Sequence, residues 1–457
     1  MIRLFHVYYP VRTLVLFFCE GLVICCSFLL AAMIHFGPAP YLVLNYEVGI
    51  VKILGVTAVA LLGSHYFDLY DSERLTSEAE AYFRLLIVLG VLSFLLAGVT
   101  YFLPSLALAQ GVSLAGIAIV TVALLAWRSA FYWLIRRPAL QEKVYVLGTG
   151  DRAERLVAGI KNHQDLGMVV VAFAGEEAIA ATREELAAHL RATVAKQRVD
   201  RVIVAVTDRR GVVPVDELLR LRMAGTKIEE ATALLEKVSG KLEVDQLLPS
   251  SLIYSEGFAL NGTAHLQKRL SSVVISLAAL TILLPLLPLI ALAIKLTSPG
   301  PVIYRQKRVG YRGKIFNCYK FRTMRADAEA KTGAVWAGTH DPRITPVGRF
   351  LRKVRLDEVP QLWNVLKGDM NFVGPRPERP EFVTQLSDVV PYYQLRHMVR
   401  PGLTGWAQVR YSYGASMEDA KEKLRYDLYY MKHMSLGLDL LIVFETLKTV
   451  LLRRGAQ

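Results

Sequence analysis

Residues 269–301, RLSSVVISLAALTILLPLLPLIALAIKLTSPGP, decide how this chain is organised. The stretch is apolar and long enough to cross a bilayer core of roughly 30 Å as a helix. Pro285 and Pro288 lie in its middle, and each removes a backbone donor and crowds the preceding turn. A sharp kink is therefore predicted. Because polar chain flanks both ends, we expect a re-entrant helix that returns to the side it entered; a bent crossing is the alternative.

The segment that follows carries its charges in a pattern that suits phosphate chemistry. Within residues 343–372, RITPVGRFLRKVRLDEVPQLWNVLKGDMNF, a basic run leads into the adjacent carboxylates Asp357 and Glu358. The cations of this run are Arg349, Arg352, Lys353 and Arg355, and the apolar helical pattern after it is Val359, Leu362, Trp363 and Leu366. Clustered cations offset the repulsion between a carboxylate nucleophile and phosphate oxygens, and adjacent helical residues point about 100° apart, so the two carboxylates can play different roles. A solvated helix face is the alternative explanation.

Length, composition and charge place part of the chain in lipid and point to an anionic partner. With 457 residues, of which 53% are hydrophobic, the chain is too long for one ordinary domain and too apolar for an ordinary soluble protein. Its net charge of +14 suits phosphate-bearing substrates or an anionic membrane face. It has no zinc-finger, helix-turn-helix or RNA-binding signature, so no nucleic-acid partner is expected. The four cysteines form no disulfide framework or metal spacing.

Four long apolar stretches precede the kinked one, at residues 13–34, 48–67, 85–103 and 106–135. Each is long enough to span a bilayer as a helix, and the first lacks a signal-peptide cleavage site, so we interpret it as a retained anchor. Lys and Arg flank only one side of the spans, which predicts that both termini are cytoplasmic. Glu20 and Lys52 fall inside spans, and each is either functional or merely accommodated, Glu20 against neighbouring helices and Lys52 by snorkelling.

From Lys143 the pattern changes to short β-branched runs that alternate with amphipathic helices, which predicts a parallel sheet with helices on its faces. Gly148, Gly150 and Ala153 fall where the Gly-x-Gly-x-x-Gly/Ala dinucleotide fingerprint would lie. The alternative is that the glycines only make a tight turn in a structural or regulatory module, and a lone fingerprint favours this alternative. No tyrosine is followed four residues later by lysine, so the catalytic pair of short-chain dehydrogenases and epimerases is missing. This absence argues against NAD as a cofactor.

Several motifs after Lys268 occur together in the order found in one enzyme family. They are KFRTM at residues 320–324, DPRIT at 341–345, LDEVPQ at 356–361, KGDM at 367–370, GPRPE at 374–378 and RPGLTGW at 400–406. In these motifs the chain resembles the bacterial sugar transferase family. Its members are polyprenyl-phosphate sugar-1-phosphate transferases that start exopolysaccharide and O-antigen repeat units. The resemblance runs from Lys268 to the C-terminus almost without a gap.

The resemblance implies a membrane α plus α/β architecture like that of the family's large members. Residues 1–138 would form a four-helix transmembrane bundle, residues 139–260 a Rossmann-like domain, and residues 261–457 a monotopic α/β-type catalytic domain with a re-entrant helix at about 269–297. The helix break, commonly Ser-Pro in relatives, falls here on Leu284 and Pro285. A homodimer in the bacterial inner membrane is implied, with membrane lipid around it and the catalytic domain on the cytoplasmic face.

The resemblance also implies a two-step exchange at phosphorus. Asp357 would attack the β-phosphate of a UDP-sugar and release UMP, and polyprenyl (undecaprenyl) phosphate would then take the phosphosugar. Asp357 and Glu358 would hold Mg²⁺. The cations implied to contact diphosphate or nucleotide are Lys320, Arg322, Arg343, Arg376 and Arg400. The transferred sugar stays open, and Asp369 and Asp427 lie in matching motifs without a role that can be derived.

Two other functions compete with this one. A membrane-anchored, NAD-dependent nucleotide-sugar dehydratase or epimerase would share the apolar spans and the parallel sheet, but it requires the missing tyrosine-lysine pair. A catalytically silent scaffold that binds nucleotide sugars would tolerate loss of Asp357, which is retained here beside Glu358 and its basic neighbours.

Overall fold

The computed structural model of the chain describes all residues except 38–47, 73, 76, 149, 175–181, 207–212, 248–251, 253, 255–256, 259–261, 326–327, 329–340, 412–413, 415 and 452–457. The chain divides into two compact units: Met1–Ile2 with Tyr8–Val238, and Arg3–Val7 with Ser239–Gln457. The division into three domains, with boundaries after residues 138 and 260, stays a prediction. Two short strands, β1 (Ile2–Leu4) and β2 (Val7–Tyr9), open the chain.

Four long apolar helices precede the sheet in the first unit. They are α1 (Val11–Phe36), α2 (Gly49–Tyr66), α3 (Glu78–Phe102) and α4 (Gln110–Ile135), so each predicted apolar stretch is a helix. Phe28, Ile53, Leu85 and Val120, one from each helix, belong to the same buried cluster. Their outward faces are also apolar, and Phe94 is 85% exposed. With the later helix over residues 265–283, five helices among the described residues are long and apolar enough to cross a membrane.

Glu20 and Lys52, the two charges that the sequence placed inside predicted spans, both have polar partners. Arg128 Nε lies 2.6 Å from Glu20 Oε1, and both side chains are buried. Tyr70 donates a hydrogen bond to the second carboxylate oxygen of Glu20 at 2.6 Å. Lys52 donates to the backbone carbonyl of Ala107 at 3.0 Å. These contacts favour the structural explanation of Glu20 and Lys52, since a buried charge is tolerated when it is paired.

A four-stranded sheet completes the first unit. Its strands are β3 (Glu142–Leu147), β4 (Met168–Ala174), β5 (Arg201–Val204) and β6 (Lys227–Glu230), all parallel and ordered β4-β3-β5-β6. The helices are α5 (Asp151–Asn162), α6 (Arg183–Gln197), α7 (Val215–Met223) and α8 (Ala231–Ser239). Leucines of α6 and α7 pack on one face and those of α5 and α8 on the other. The predicted parallel sheet is confirmed; β6 was missed because Ile228 is its one apolar residue.

The glycine fingerprint lies at the turn between β3 and α5, as predicted. Gly148 has φ +148°, and a Cβ at this position would lie 2.6 Å from the backbone carbon of Ala205. Gly150, with φ +78°, immediately precedes α5, and Ala153 is fully buried. Gly148 is therefore required by the close approach of this turn to the end of β5, and Gly150 is favoured by its positive φ. This requirement accounts for them without a bound dinucleotide, and the Rossmann-like assignment stays a prediction.

The second unit begins with the kinked apolar segment. It forms α9 (Gly262–Leu283) and α10 (Leu286–Thr297), and the break falls at Leu284 and Pro285. An antiparallel hairpin follows, β7 (Ile303–Val309) and β8 (Ile315–Phe321). The remaining elements are α11 (Pro346–Lys353), α12 (Gln361–Lys367), β9 (Asn371–Val373), α13 (Pro380–Val389), β10 (Gly402–Thr404), α14 (Trp406–Arg410), α15 (Met417–Lys432) and α16 (Leu436–Leu451). Strands β9 and β10 are parallel.

Polar contacts fasten the start of α9 to the rest of the second unit. Lys268 is buried and lies 2.8 Å from Asp439 Oδ2. Arg269 donates to the carbonyls of Val365 and Leu366, at 2.5 and 2.8 Å, in the last turn of α12. A cation at a helix C-terminus satisfies carbonyls that have no partner within the helix and complements the helix dipole. The beginning of the apolar segment is thereby fixed beside the helix that follows the carboxylate pair.

The chain after β8 is held against the start of α11 by backbone contacts. Thr345 N donates to the carbonyl of Thr323 at 3.0 Å, and the Thr345 hydroxyl caps α11 by accepting from Gly348 N at 3.0 Å. A Cβ on Gly348 would lie 2.1 Å from the same Thr323 carbonyl oxygen. Glycine is therefore needed where α11 crosses the strand end. This contact brings the KFRTM and DPRIT motifs together.

Replacing Glu20 with Leu should destabilise the first unit by about 3–5 kcal/mol, because the Arg128 charge would remain buried without its carboxylate. Thermal unfolding of the detergent-solubilised protein measures the loss. The double variant Glu20→Leu/Arg128→Leu should be more stable than the single variant, since no uncompensated charge is left. Equal stability of single and double variants would contradict a structural ion pair.

Replacing Gly348 with Ala should lower the stability of the second unit by about 1–3 kcal/mol, because the added methyl overlaps a backbone carbonyl that cannot rotate away. The better helix propensity of Ala, about 1 kcal/mol, opposes the clash but does not remove it. Gly262→Ala is the matched control, since a Cβ there meets nothing within 4 Å. A Gly348→Ala protein that unfolds at the temperature of this control would show that the strand end can move aside.

Candidate active site

A cavity of about 970 Å³ lies in the second unit and is lined by both carboxylates of the predicted pair. Its walls also come from β7, β8, the chain after β8, and the segments around Arg376 and Lys423. The cationic lining residues among those described are Arg305, Arg308, Lys320, Arg322, Arg325, Arg343, Arg352, Arg355, Arg376, Arg379, Arg396 and Lys423. The lining carboxylates are Asp357, Glu358, Glu378 and Asp427. Cations exceed carboxylates threefold, so the cavity suits a polyanion.

The carboxylate pair lies on a short 3₁₀ turn, Leu356–Glu358, between α11 and α12. The carboxylates were expected to be neighbours on an α-helix, but they lie on this 3₁₀ turn, which the left-handed conformation of Arg355, with φ 58°, separates from α11. Such a conformation is strained for a residue with a Cβ, and strain of this kind is found where the surrounding structure enforces it. The turn buries both side chains, each 7% exposed, at the cavity wall.

Glu358 is engaged by two cations. Lys320 Nζ donates to Oε1 at 2.9 Å, and Arg376 donates to Oε1 at 2.6 Å and to Oε2 at 3.4 Å. Burial opposes ionisation of Glu358, but Arg376 and Lys320 outweigh it and hold the pKa of this carboxyl well below its usual range. Glu358 is therefore a fixed negative charge at neutral pH.

Asp357 is in the opposite situation. Its Oδ1 atom is buried and has no hydrogen-bond partner among the residues that the structure describes. Burial and the neighbouring Glu358 charge raise the pKa of Asp357, against the attraction of Lys320 and nearby arginines. A more basic carboxylate is a better nucleophile once ionised, and its unpartnered oxygen needs no bond broken before it attacks. The environment thus separates two adjacent carboxylates into a fixed charge and a reactive group.

The other predicted phosphate contacts are placed unequally. Arg343 lies on the cavity wall but binds Asp341 through two nitrogens, at 2.8 and 2.5 Å, and holds its own loop. Arg322 also lies on the wall and donates to Ser298. Arg400 is absent from the wall and lies over the Tyr311 ring, 5.4 Å from its centroid. The structure thus groups Lys320, Arg322, Arg343 and Arg376 around the carboxylates, and places Arg400 elsewhere.

Asn364 fixes α12 against β8, which sequence reasoning missed. Its side chain accepts from Tyr319 N at 3.0 Å and donates to the Asn317 carbonyl at 2.8 Å. Asp369 accepts from the same amide at 3.2 Å, which gives this aspartate an orienting role. The predicted apolar face of α12 is partly wrong, because Trp363 is 61% exposed while Asn364 is fully buried. A polar residue between apolar neighbours, here in LWNVL, was the available signal.

Asp427 belongs to a buried chain of contacts that ends at Glu358. It accepts from Arg396 at 2.8 Å, and Arg396 donates to the backbone carbonyl of Arg376 at 3.0 Å. Burial raises the pKa of Asp427 to about 6, against the opposing attraction of Arg396. Arg376 in turn binds Glu358. Asp427 thus positions the arginine that fixes the Glu358 charge, although it also lies on the cavity wall.

The carboxylate pair fits a magnesium ion that shares its ligands with a substrate. Mg²⁺ in proteins is bound through one or two carboxylates plus waters and substrate phosphates. Asp357 offers an unpartnered oxygen beside Glu358. No cluster of three metal-binding side chains occurs within the described ranges, so the remaining ligands would have to come from water and phosphate.

Comparison with known proteins locates the family resemblance in the second unit. A family model described as bacterial sugar transferase matches residues 263–453. The chain is 41% identical over 243 residues to a UDP-N-acetylgalactosamine-undecaprenyl-phosphate N-acetylgalactosaminephosphotransferase of Aeromonas hydrophila, covering 52% of this chain and 56% of the relative. It is 34% identical over 325 residues to an undecaprenyl-phosphate glucose phosphotransferase of Komagataeibacter xylinus, covering 69% of this chain and 60% of the relative.

These two relatives are therefore matched over little more than half of their length. A shorter relative, the exopolysaccharide production protein PSS of Rhizobium leguminosarum bv. phaseoli, is 42% identical over 191 residues, which are 41% of this chain and 96% of that protein. This shorter relative is thus matched over nearly its whole length. The chain belongs to the bacterial sugar transferase family.

Proposed function

We propose that this protein transfers a sugar 1-phosphate from a UDP-sugar to polyprenyl (undecaprenyl) phosphate and releases UMP. The observation that carries the proposal is Asp357, buried at a cation-rich cavity with one oxygen unpartnered, beside a Glu358 that two cations already engage. Membership of the sugar transferase family and the names of the relatives support transfer of a sugar phosphate to undecaprenyl phosphate.

The reaction proceeds in two displacements at phosphorus. The Asp357 carboxylate attacks the β-phosphorus of the UDP-sugar, the bond to the bridging oxygen breaks, and UMP leaves with that electron pair. The phosphosugar is then held as an acyl phosphate on Asp357. An oxygen of the dianionic polyprenyl phosphate attacks the same phosphorus, forms a diphosphate and returns the carboxylate to Asp357. Charge balances in both steps without a proton donor, which suits a site built from fixed cations.

The cavity residues supply the electrostatics for these steps. Lys320 and Arg376, fixed by Glu358, point positive charge at the place where the diphosphate must lie. Mg²⁺, when bound by Asp357, Glu358 and substrate phosphates, would neutralise charge on the phosphoryl oxygens. Asp427 and Arg396 keep Arg376 in position. We assign no redox role to the parallel-sheet domain and propose no NAD cofactor for it.

The kinked segment is proposed to be re-entrant, with both its ends on the cytoplasmic face. Arg269 near its beginning binds α12, while Ser298 after its end binds Arg322 beside β8. The two elements are themselves joined by the Asn364 contact to Tyr319 N. A straight helix over residues 269–298 would be about 45 Å long and would hold its ends far apart. Two ends fastened to one compact structure favour a return to the same side.

The remaining topology follows from this placement. Helices α1–α4 are proposed to cross the inner (cytoplasmic) membrane as a four-helix bundle, with the cavity on the cytoplasmic side where nucleotide sugars are made. Polyprenyl phosphate cannot leave the bilayer, so a site at the membrane boundary lets it meet a soluble donor. A homodimer, and a place at the first membrane step of exopolysaccharide or O-antigen synthesis, complete the proposal.

Incubating the purified protein with Mg²⁺ and a panel of UDP-sugars, without acceptor, should add the mass of one phosphosugar. Intact-mass spectrometry measures the gain and identifies the sugar at once. Asp357→Asn should show no gain and should lose transfer by several orders of magnitude, because an amide does not form the acyl phosphate.

Glu358→Gln should retain the nucleophile but react more slowly, since Lys320 and Arg376 lose the charge that fixes them. It therefore separates the reactive carboxylate from the fixed one. An adduct that persists in Asp357→Asn would remove this residue from the nucleophile role. UMP release that needs polyprenyl phosphate and passes through no adduct would indicate direct transfer, and no reaction with any donor would favour a scaffold.

Single cysteines at Tyr254 and Lys314, which flank the kinked segment and are exposed, should react with a membrane-impermeant maleimide from the same side of the membrane. The native cysteines are replaced first, and Leu106→Cys, in the α3–α4 connection, reports the opposite side. Labelling of intact spheroplasts reports the outer side of the membrane, and labelling of inverted vesicles reports the cytoplasmic side. Reaction of Tyr254→Cys and Lys314→Cys from opposite sides would establish a bent crossing.

A further inference from the structure

Arg322 is a buried cation that the described structure leaves largely unpartnered. It follows β8, and its backbone N donates to the Val302 carbonyl at 2.9 Å. Its side chain is 6% exposed, and one terminal nitrogen donates to the carbonyl and hydroxyl of Ser298, at 2.8 and 2.9 Å. Nε and the other terminal nitrogen have no partner among the described residues. These two nitrogens carry three N–H groups, which can donate to an anion bound in the cavity.

Other cations on the cavity wall differ from Arg322 in this respect. Lys320 and Arg376 bind Glu358, Arg343 binds Asp341, and Arg396 binds Asp427. Arg352 donates to the hydroxyl of Thr323 at 2.9 Å. Each of these cations therefore has a carboxylate or hydroxyl within the protein. Arg322 holds its unsatisfied donors at the same cavity that contains Asp357.

The position of Arg322 separates it from the groups that would bind the nucleotide diphosphate. Lys320 lies near the end of β8 and Arg322 directly follows that strand, so their Cα atoms are about 6–7 Å apart. Lys320 points to Glu358, whereas Arg322 is bonded to Ser298, which directly follows α10. Pro301 and Val302 line the cavity there as well. Arg322 thus lies where the cavity meets the end of the kinked apolar segment.

Helix α10 offers an uncovered apolar surface next to this cation. Leu289, Leu292 and Leu296 are all exposed, and they recur at the three- and four-residue spacing that forms one face of a helix. A nucleotide sugar has no part that such a surface would bind. A phosphate monoester on a long hydrocarbon chain has both parts, since the chain can lie along α10 while its headgroup reaches Arg322.

We propose that Arg322, positioned by Ser298, binds the phosphate of the polyprenyl phosphate acceptor and thereby defines an acceptor subsite distinct from the donor subsite at Lys320 and Arg376. The assignment rests on the proposed function, because it divides the two displacements between different cations. Arg322 holds the acceptor phosphate beside the acyl phosphate on Asp357, and offsets the repulsion between two anions at the moment of attack.

The test reads the two half-reactions separately in the full-length protein in nanodiscs. Adduct formation from the UDP-sugar, followed by intact mass without acceptor, reports the donor half. Discharge of the preformed adduct after addition of undecaprenyl phosphate reports the acceptor half. Arg322→Gln should form the adduct at close to the starting rate but discharge it about tenfold more slowly or worse, with a raised KM for the lipid phosphate. Arg322→Lys should recover part of the discharge rate, because it restores the charge.

Two further variants control for charge and for local structure. Lys314→Gln removes one positive charge from the exposed turn between β7 and β8, and it should leave both half-reactions unchanged. Ser298→Ala removes one contact of Arg322 while leaving its unpartnered nitrogens in place, so its discharge defect should be smaller than that of Arg322→Gln. Inorganic phosphate and a short prenyl phosphate are added as acceptors in parallel. Faster discharge by the long-chain lipid than by either, lost in Arg322→Gln, supports a lipid phosphate subsite.

The outcomes that would contradict the Arg322 proposal differ from the one that would contradict the proposed function. Equal loss of adduct formation and discharge in both Arg322 variants, with unfolding temperatures unchanged, would assign Arg322 to the donor and overturn the proposal. Discharge that is unaffected by Arg322→Gln would overturn it too. A starting protein that forms no adduct and transfers no sugar phosphate would overturn the proposed function, whatever the Arg322 variants do.

Discussion

The ionic contact of Glu358 with Lys320 and Arg376 is the constraint on which the rest of the site depends. It joins β8, the 3₁₀ turn and the GPRPE segment, three pieces of chain that have no local reason to meet. Burial, together with the Glu358 charge that this contact fixes, raises the pKa of Asp357, the carboxylate that we propose as the nucleophile. Two neighbouring residues of similar chemistry acquire different roles from their partners alone.

Polar contacts, most of them buried, hold the residues of this ionic contact in position. Asp427 and Arg396 hold the backbone of Arg376, and Asn364 with Asp369 holds α12 to β8. Asp427, Arg396 and Asn364 are each buried with a partner, which is the condition under which a buried network rigidifies a site instead of weakening it. A cavity with many more cations than carboxylates would otherwise be disrupted by its own repulsion. The network allows the charge excess to remain directed at a bound polyanion.

The kinked apolar segment, α9 and α10, is part of the structure around the cavity. Lys268 and Arg269 fasten its beginning to α16 and α12, and Ser298 fastens its end to Arg322. Ile290 and Ile294 of α10 pack in one cluster with Phe321 and Leu351, so α10 is part of the apolar core beside the cavity.

The sequence by itself determined the apolar helices, the proline break, the parallel sheet and the family motifs, because each is written in local periodicity, turn residues or short runs of chain. It also identified Asp357 and Glu358 as a pair. Only the tertiary structure decided which of them is left reactive, because Lys320 and Arg376 lie 38 and 18 residues away from Glu358 along the chain. The same holds for Asn364, which is buried where periodicity favoured Trp363, and for Arg400, which lies off the cavity wall. Periodicity reports which face of an element is apolar, whereas a charge takes its role from the partners that folding brings to it.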